Sequence, residues 1–342
     1  MRNPPVKYSI TAAMALSLAA GCTSSSFSPG NPVGSPQHQI RTDKAASACP
    51  CLYVADLLGN SITVYPIGKT GNRAPSWYIS GSNTELDEPN GLAVDSNGNL
   101  YVTNDANGTV TVYAAGATGN VAPTAIIAGA NTGLKSPWGI GVNPVNGDIY
   151  VANIEGGPSE FGSITFYAPG SNGNVAPVGT IAGSNTMLAD PYGVTLDTSG
   201  NIYVANGTSA TVTLYAAGSS GNVAPTQYIG GSNTDLYEPQ QVAFDSSLNI
   251  YVVNYGHSAV TAYPAGAKGN VPPSKGYITG KKTKLDLPTS IALDATGNIY
   301  VSNTQSNAIT VYAAGSSGNV KPSGTLKGSN TMLNYPSGIA IR

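Results

Sequence analysis

The tyrosines of a recurring Ile-Tyr-Val-x-Asn motif fall at Tyr53, Tyr101, Tyr150, Tyr203, Tyr251 and Tyr300, with gaps of 48, 49, 53, 48 and 49 residues. A period of this size marks propellers and solenoids, in which no single unit buries its hydrophobic face alone. One unit contains four short runs rich in Val, Ile, Thr, Tyr and Ala: 91–94, 100–102, 110–113 and 125–127. Gly, Asn, Asp and Pro separate them, which predicts a four-stranded antiparallel meander. With 42 Gly and 24 Pro in 342 residues, long helices are not expected.

The two ends of the array decide its shape. The first unit opens at its second strand, Leu52-Tyr53-Val54, and the chain stops on an isolated first strand, Pro336 to Arg342. Five units are whole and the two fragments sum to a sixth. An open solenoid would leave raw sheet edges in need of caps. A ring removes them when the last strand completes the first sheet. The expectation is therefore an all-β, six-bladed β-propeller of four-stranded blades, closed by the C-terminal strand.

The repeat Pro-x-Gly-Ile-Ala-Val-Asp-x-x-Gly-Asn-Ile-Tyr-Val-Ala-Asn, followed by Val-Thr-Val-Tyr, resembles the NHL-repeat family over residues 52–342. It departs from that family in the segment Tyr-Ala-Ala-Gly-x-x-Gly-Asn-Val-x-Pro and where Ser, Thr and Asn replace charged residues. The resemblance implies a propeller. Its members include protein- and RNA-binding modules, sensor domains and a few lyases. Charged residues make up 9% of this chain and the net charge is −2, so no basic face speaks for nucleic acid.

The N-terminus carries an address. Arg2 and Lys7 precede an apolar run, Ile10 to Ala20, too short to span a bilayer and right for a signal peptide. The ending Leu18-Ala-Ala-Gly-Cys22 resembles a bacterial lipobox, with Leu one place further from the Cys than usual. The division expected is a lipoprotein signal at 1–21, a lipidated Cys22 with a flexible tether over 22–48, and the propeller over 49–342. Thr23 rather than Asp after the Cys implies, by the same analogy, the outer membrane. The membrane is then met only through the lipid, and the partner is an envelope protein or a glycan.

In a meander the first-to-second and third-to-fourth turns share one side of the ring. That side carries near-copies of Asp-x-x-Gly-Asn, as at Asp95–Asn99, Asp197–Asn201 and Asp294–Asn298. One carboxylate per turn is too few for calcium, so these are expected to be Asp-capped hairpin turns. The opposite side varies. The third unit has five extra residues between Asn153 and Tyr167 that present Glu155, Glu160 and Phe161. The residue after each repeat proline is expected at the channel mouth: Asn90, Trp138, Tyr192, Gln240, Thr289 and Ser337, with Gln241 in place of the usual Gly.

The candidate ligand-binding residues are thus Asn90, Trp138, Tyr192, Gln240 and Gln241, with Glu155, Glu160 and His257 on the same side. Aromatic and amide groups there suit a sugar or an extended peptide; the plainer reading has both aromatics filling space between blades. His257 is the propeller's single histidine, either a general base assisted by Glu155 or Glu160 or a solvated loop residue. No zinc ligand set, nucleophile elbow or phosphate loop is visible, and no metal or cofactor is expected. Cys49 and Cys51 flank Pro50 as a local disulfide, a redox pair or two thiols. The leading function is a non-enzymatic, lipid-anchored binding scaffold. The alternatives are a lyase or lactone hydrolase with a metal in the channel, and a passive envelope spacer.

Overall fold

The computed structural model describes residues 50–157, 161–274 and 276–342. They form six antiparallel sheets. The second blade is typical: its inner strand Pro89–Val94 pairs with Leu100–Asn104, then Thr109–Tyr113, then the outer strand Ala125–Ile127. The inner strands of the following blades are Pro137–Val142, Pro191–Leu196, Pro239–Phe244, Pro288–Leu293 and Pro336–Ile341. Each lies against the next, and the last lies against Pro89–Val94, so the ring is closed. In the fifth blade the outer strand shrinks to one bridged residue, Ile278, which exchanges backbone hydrogen bonds with Val260 at 2.8 and 2.9 Å.

The predicted closure is present. Pro336–Ile341 runs antiparallel to Cys51–Asp56, with Tyr53 opposite Ala340 and Val54 opposite Ile339. Cys51 and Arg342 exchange both backbone hydrogen bonds, at 2.7 and 3.1 Å. The core lies between blades rather than within them. Val110 and Ile127 of the second blade meet Ile140, Ile149 and Val151 of the third, and the same joint recurs six times round the ring. Middle strands buried on both faces lose the in–out alternation of a half-exposed sheet.

The segment that departs from the NHL pattern has a structural role. Gly119 bridges in parallel to Ile79, on the outer strand of the preceding blade, and the Asn83 N–H donates to the Asn120 Oδ1 at 2.7 Å. All six blades repeat this, the last joint linking Gly71 to Leu326 and the Asn330 N–H to Asn72. Each outer edge, otherwise an aggregation-prone row of free backbone groups, is thereby covered by its neighbour. The glycine under each strap has positive φ; a Cβ at Gly183 (φ 123°) would stand 2.5 Å from the Asn222 side chain. A third stitch comes from the tyrosine closing each third strand. Tyr167, for example, is fully buried and donates to the Thr132 carbonyl at 2.6 Å.

One repeat position carries an exception in the first blade. The Asn ending each second strand accepts from a backbone N–H leading into the inner strand, as Asn303 does from Asp286 at 2.9 Å. Its Nδ2 donates to the carbonyl two residues back and to a third-strand Thr hydroxyl, as in Asn206 to Val204 and Thr213. In the first blade the residue is Asp56, fully buried. Its Oδ1 accepts from the Asn334 N–H at 3.1 Å, and its Oδ2, where the others place Nδ2, meets the Thr63 hydroxyl at 2.7 Å.

Candidate functional site

The six residues that follow the inner-strand prolines all line one cup at the mouth of the central channel: Asn90, Trp138, Tyr192, Gln240, Thr289 and Ser337. The cup is small, with about 20 Å³ of room, and open to solvent. Its narrowness comes from backbone. A Cβ at Gly91 would stand 2.4 Å from the Trp138 carbonyl oxygen, one at Gly139 2.4 Å from that of Tyr192, and one at Gly338 2.1 Å from that of Asn90. Glycine is needed here for close strand approach, not for positive φ.

Hydroxyls tie the floor together. Thr103 Oγ1 donates to the Trp138 carbonyl at 2.6 Å, and Ser302 Oγ to the Ser337 carbonyl at 2.6 Å. Ser337 Oγ lies 3.1–3.3 Å from the carbonyls of Pro89, Asn90 and Ala55. Gln241, where four of the other five blades have Gly, lines the cup, and its Nε2 donates to Thr195 Oγ1 at 3.1 Å. Asn90 differs from these. Its side chain is 97% buried, and its Nδ2 has no hydrogen-bond partner. A buried donor left unpaired costs about 1–3 kcal/mol, so it marks a place where an acceptor belongs.

Trp138 and Tyr192 are half-buried and meet edge to face, ring centres 5.5 Å apart. Tyr192 also lies flat on Gly207, where a Cβ would come within 2.2 Å of the ring. The two aromatics therefore fill space between blades and line the cup at once. Burial, then the carboxylates of Asp190 and Glu238, push the Tyr192 phenol up to about 12.

The remaining predicted residues are placed elsewhere. His257 stacks on Tyr237, ring centres 4.4 Å apart and planes 11° apart. Glu155 lies close enough to Asp105 to perturb it. Burial first, then Glu88 and Glu155, push the Asp105 carboxyl up to about 6, against a hydrogen bond from Ser136. Among the described residues no hydrogen bond joins His257 to Glu155. Glu160, Cys22 and Cys49 lie outside the described residues. Cys51 is buried in the first blade opposite Pro66.

The Asp-x-x-Gly-Asn turns are hairpin caps, as expected. Asp197 Oδ1 accepts from the N–H groups of Ser199 and Asn201, both at 2.9 Å, and its Oδ2 accepts from Asn201 Nδ2 at 2.8 Å. Among the described residues no three His, Cys, Asp or Glu side chains group so as to hold a metal. The cup supplies amides, hydroxyls and aromatic edges, which do not suit a lyase-type metal centre.

Sequence reasoning missed two features of this side. Tyr237, 48% exposed, forms with His257 a parallel aromatic step beside Glu238; in other units its position holds Asp87, Lys135, Ala189, Asp286 or Asn334, so the substitution was the available signal. The other is a set of acids beside the inner-strand prolines. Glu88, Asp190 and Glu238 each precede an inner-strand proline, in the left-handed region with φ of 48–51°.

Comparison with known proteins gives the fold and little else. A family model described as a beta-propeller repeat matches residues 77–110. No curated protein matches the chain. Among solved structures, one titled a Nidogen/Laminin complex superposes with a TM-score of 0.60 at 16% identity, covering 85% of this chain and 98% of that one. A protein of unknown function from Bacteroides caccae gives 0.61 at 12% identity, covering 86% and 99%. A functionally unknown protein from Desulfotomaculum acetoxidans gives 0.54 at 15%, covering 84% of each. At such identities the likeness is one of architecture: the chain is built of β-propeller repeats.

Proposed function

We propose that the protein is an exported, lipid-anchored, NHL-like propeller that works as a binding scaffold, its ligand a glycan or a peptide met at the channel mouth. The observation that carries this reading is the cup: the residues varying most between repeats converge there, and one of them, Asn90, keeps a buried donor unpaired. Rigid rings with variable mouths are suited to recognition, since the scaffold holds the site without ordering cost. A ring of this architecture in a Nidogen/Laminin complex is compatible with such a role. The acylated Cys22 and the tether would hold the ring clear of the lipid.

Glycan and peptide arrays probed with the mature protein, with Trp138→Ala and with Tyr192→Ala test the site. The expected result is loss of binding with the ring still folded; Trp138→Phe separates lost contacts from lost packing. An unchanged array profile in all three variants would remove the mouth from consideration. Palmitate labelling of the wild type and of Cys22→Ala tests the anchor.

A further inference from the structure

The cup, the acids beside the inner-strand prolines and the aromatic step together say more about the ligand than that it is a glycan or a peptide. We propose that the mouth takes one uncharged oxygen, a hydroxyl at the end of a neutral or amine-bearing saccharide, and discriminates against acidic glycans. This rests on the reading of the mouth as a binding site and narrows it.

Size comes first. The cup lies between inner strands that approach too closely for a side chain at Gly91, Gly139, Gly193 and Gly338. Its floor has room for about one water-sized group. A sugar ring or a bulky side chain stays at the rim, and a single small group descends. Polarity comes second. The unpaired buried atom is the Nδ2 of Asn90, a donor, so the descending group must accept a hydrogen bond. An ammonium, which only donates, would leave that N–H unpaired. Gln240 beside it is buried and makes no side-chain hydrogen bond of its own, so its amide remains for the same group.

Charge comes third. Asp190 and Glu238 lie close enough to the cup-lining Tyr192 to raise its phenol, Glu88 stands two residues before Asn90, and Asp105 feels both Glu88 and Glu155. Among the described residues none of these carboxylates is neutralised by an ion pair. Lys135 lays its aliphatic stem against Gly156. Three unit charges within a Debye length of an anion, in water-like dielectric, disfavour it by about tenfold at low salt. A carboxylate ligand is therefore opposed and a hydroxyl is not. Last, the edges of Trp138 and Tyr192 offer apolar surface in the cup, and the exposed Tyr237–His257 stack offers more on the same side of the ring. The C–H face of a pyranose ring covers such surface while its terminal hydroxyl points down.

Calorimetry with the mature protein tests this, using three probes of equal length: a neutral gluco-oligosaccharide, a chitosan oligosaccharide and an oligogalacturonate. The neutral and amine-bearing probes should bind, and the uronate at least tenfold more weakly at 50 mM salt. The gap should narrow at 500 mM salt and in Glu88→Gln/Asp190→Asn/Glu238→Gln. Asn90→Asp keeps the shape but puts an acceptor where the donor was, so it should weaken the neutral probe at least tenfold while the ring stays folded. Asn90→Leu is the second variant should the carboxylate disturb folding. Equal affinity for the uronate, or full binding by both Asn90 variants, overturns the proposal. Binding to peptides and to no saccharide overturns it while leaving the mouth a binding site. Silence on glycan and peptide arrays alike, or a saccharide-soaked crystal with an ordered water only in the cup, removes it as well.

Discussion

Asp56→Asn should make the ring more stable, and increasingly so as pH rises from 4 to 8. The other five blades place an Asn in this slot, and its Nδ2 serves as a donor. An ionised carboxylate cannot donate, and its Oδ2 would face the Val54 carbonyl as Asn206 Nδ2 faces that of Val204. A protonated carboxyl can. Burial pushes the Asp56 carboxyl up to about 8, while hydrogen bonds from Thr63 and Asn334 pull it down. The titratable group facing it is Tyr65, whose phenol is itself raised by burial.

The sign follows from proton counting. Below pH 3.8 the acid is protonated both folded and unfolded, and its contribution is fully present. Between 3.8 and about 8 the unfolded chain releases a proton that the fold retains, so stability falls by about 1.4 kcal/mol per pH unit. At about 2.1 cal/mol/K per residue, a ring of this size has an unfolding entropy near 0.6 kcal/mol/K, so Tm falls by about 2 °C per pH unit. Thermal scans of wild type and Asp56→Asn every half pH unit, read as differences, cancel the other groups. The variant should match the wild type near pH 4 and exceed it by about 7 °C near pH 7.5. A difference flat with pH, or an Asn variant that is less stable at pH 8, would refute the reasoning.

Removing residues 336–342 strips the inner strand from the first blade and exposes the edge of Cys51–Asp56. The outer joints of Gly71 to Leu326 and Asn72 to Asn330 remain, so light scattering should show an associating ring rather than an unfolded chain; a stable monomer melting with the parent would contradict the closure. Gly139→Ala drives a Cβ to 2.4 Å from the Tyr192 carbonyl oxygen and should cost about 1–3 kcal/mol in denaturant titration. Leu248 holds φ of 60° at a turn where Gly98, Gly200 and Gly297 sit in the other blades. Leu248→Gly should therefore gain about 0.5–1 kcal/mol in the same assay, the relieved backbone strain outweighing glycine's entropy.

The straps explain a departure that composition left blank. The segment Gly-Asn-Val-x-Pro reads locally as a loop, because its partner is the previous blade's outer strand, about forty residues away. Nor does the motif show that Asp56 is a titrating group: at sequence level it is one more polar residue after Tyr-Val, and its raised pKa exists only once the first blade is closed round it. The mouth was half legible. The proline offsets fixed which side chains would line it, but not that Gln241 would be bound to Thr195, that Asn90 would be left unpaired, or that Tyr237 and His257 would stack.

The chain by itself determined the number of blades, the strand order within each and the manner of closure, because period, turn residues and a split unit are local or additive properties of a repeat. Only the tertiary structure decided the shape and charge of the mouth and the state of Asp56. Those depend on how closely six inner strands approach one another, a distance set by glycines and carbonyls on different blades that share no stretch of sequence.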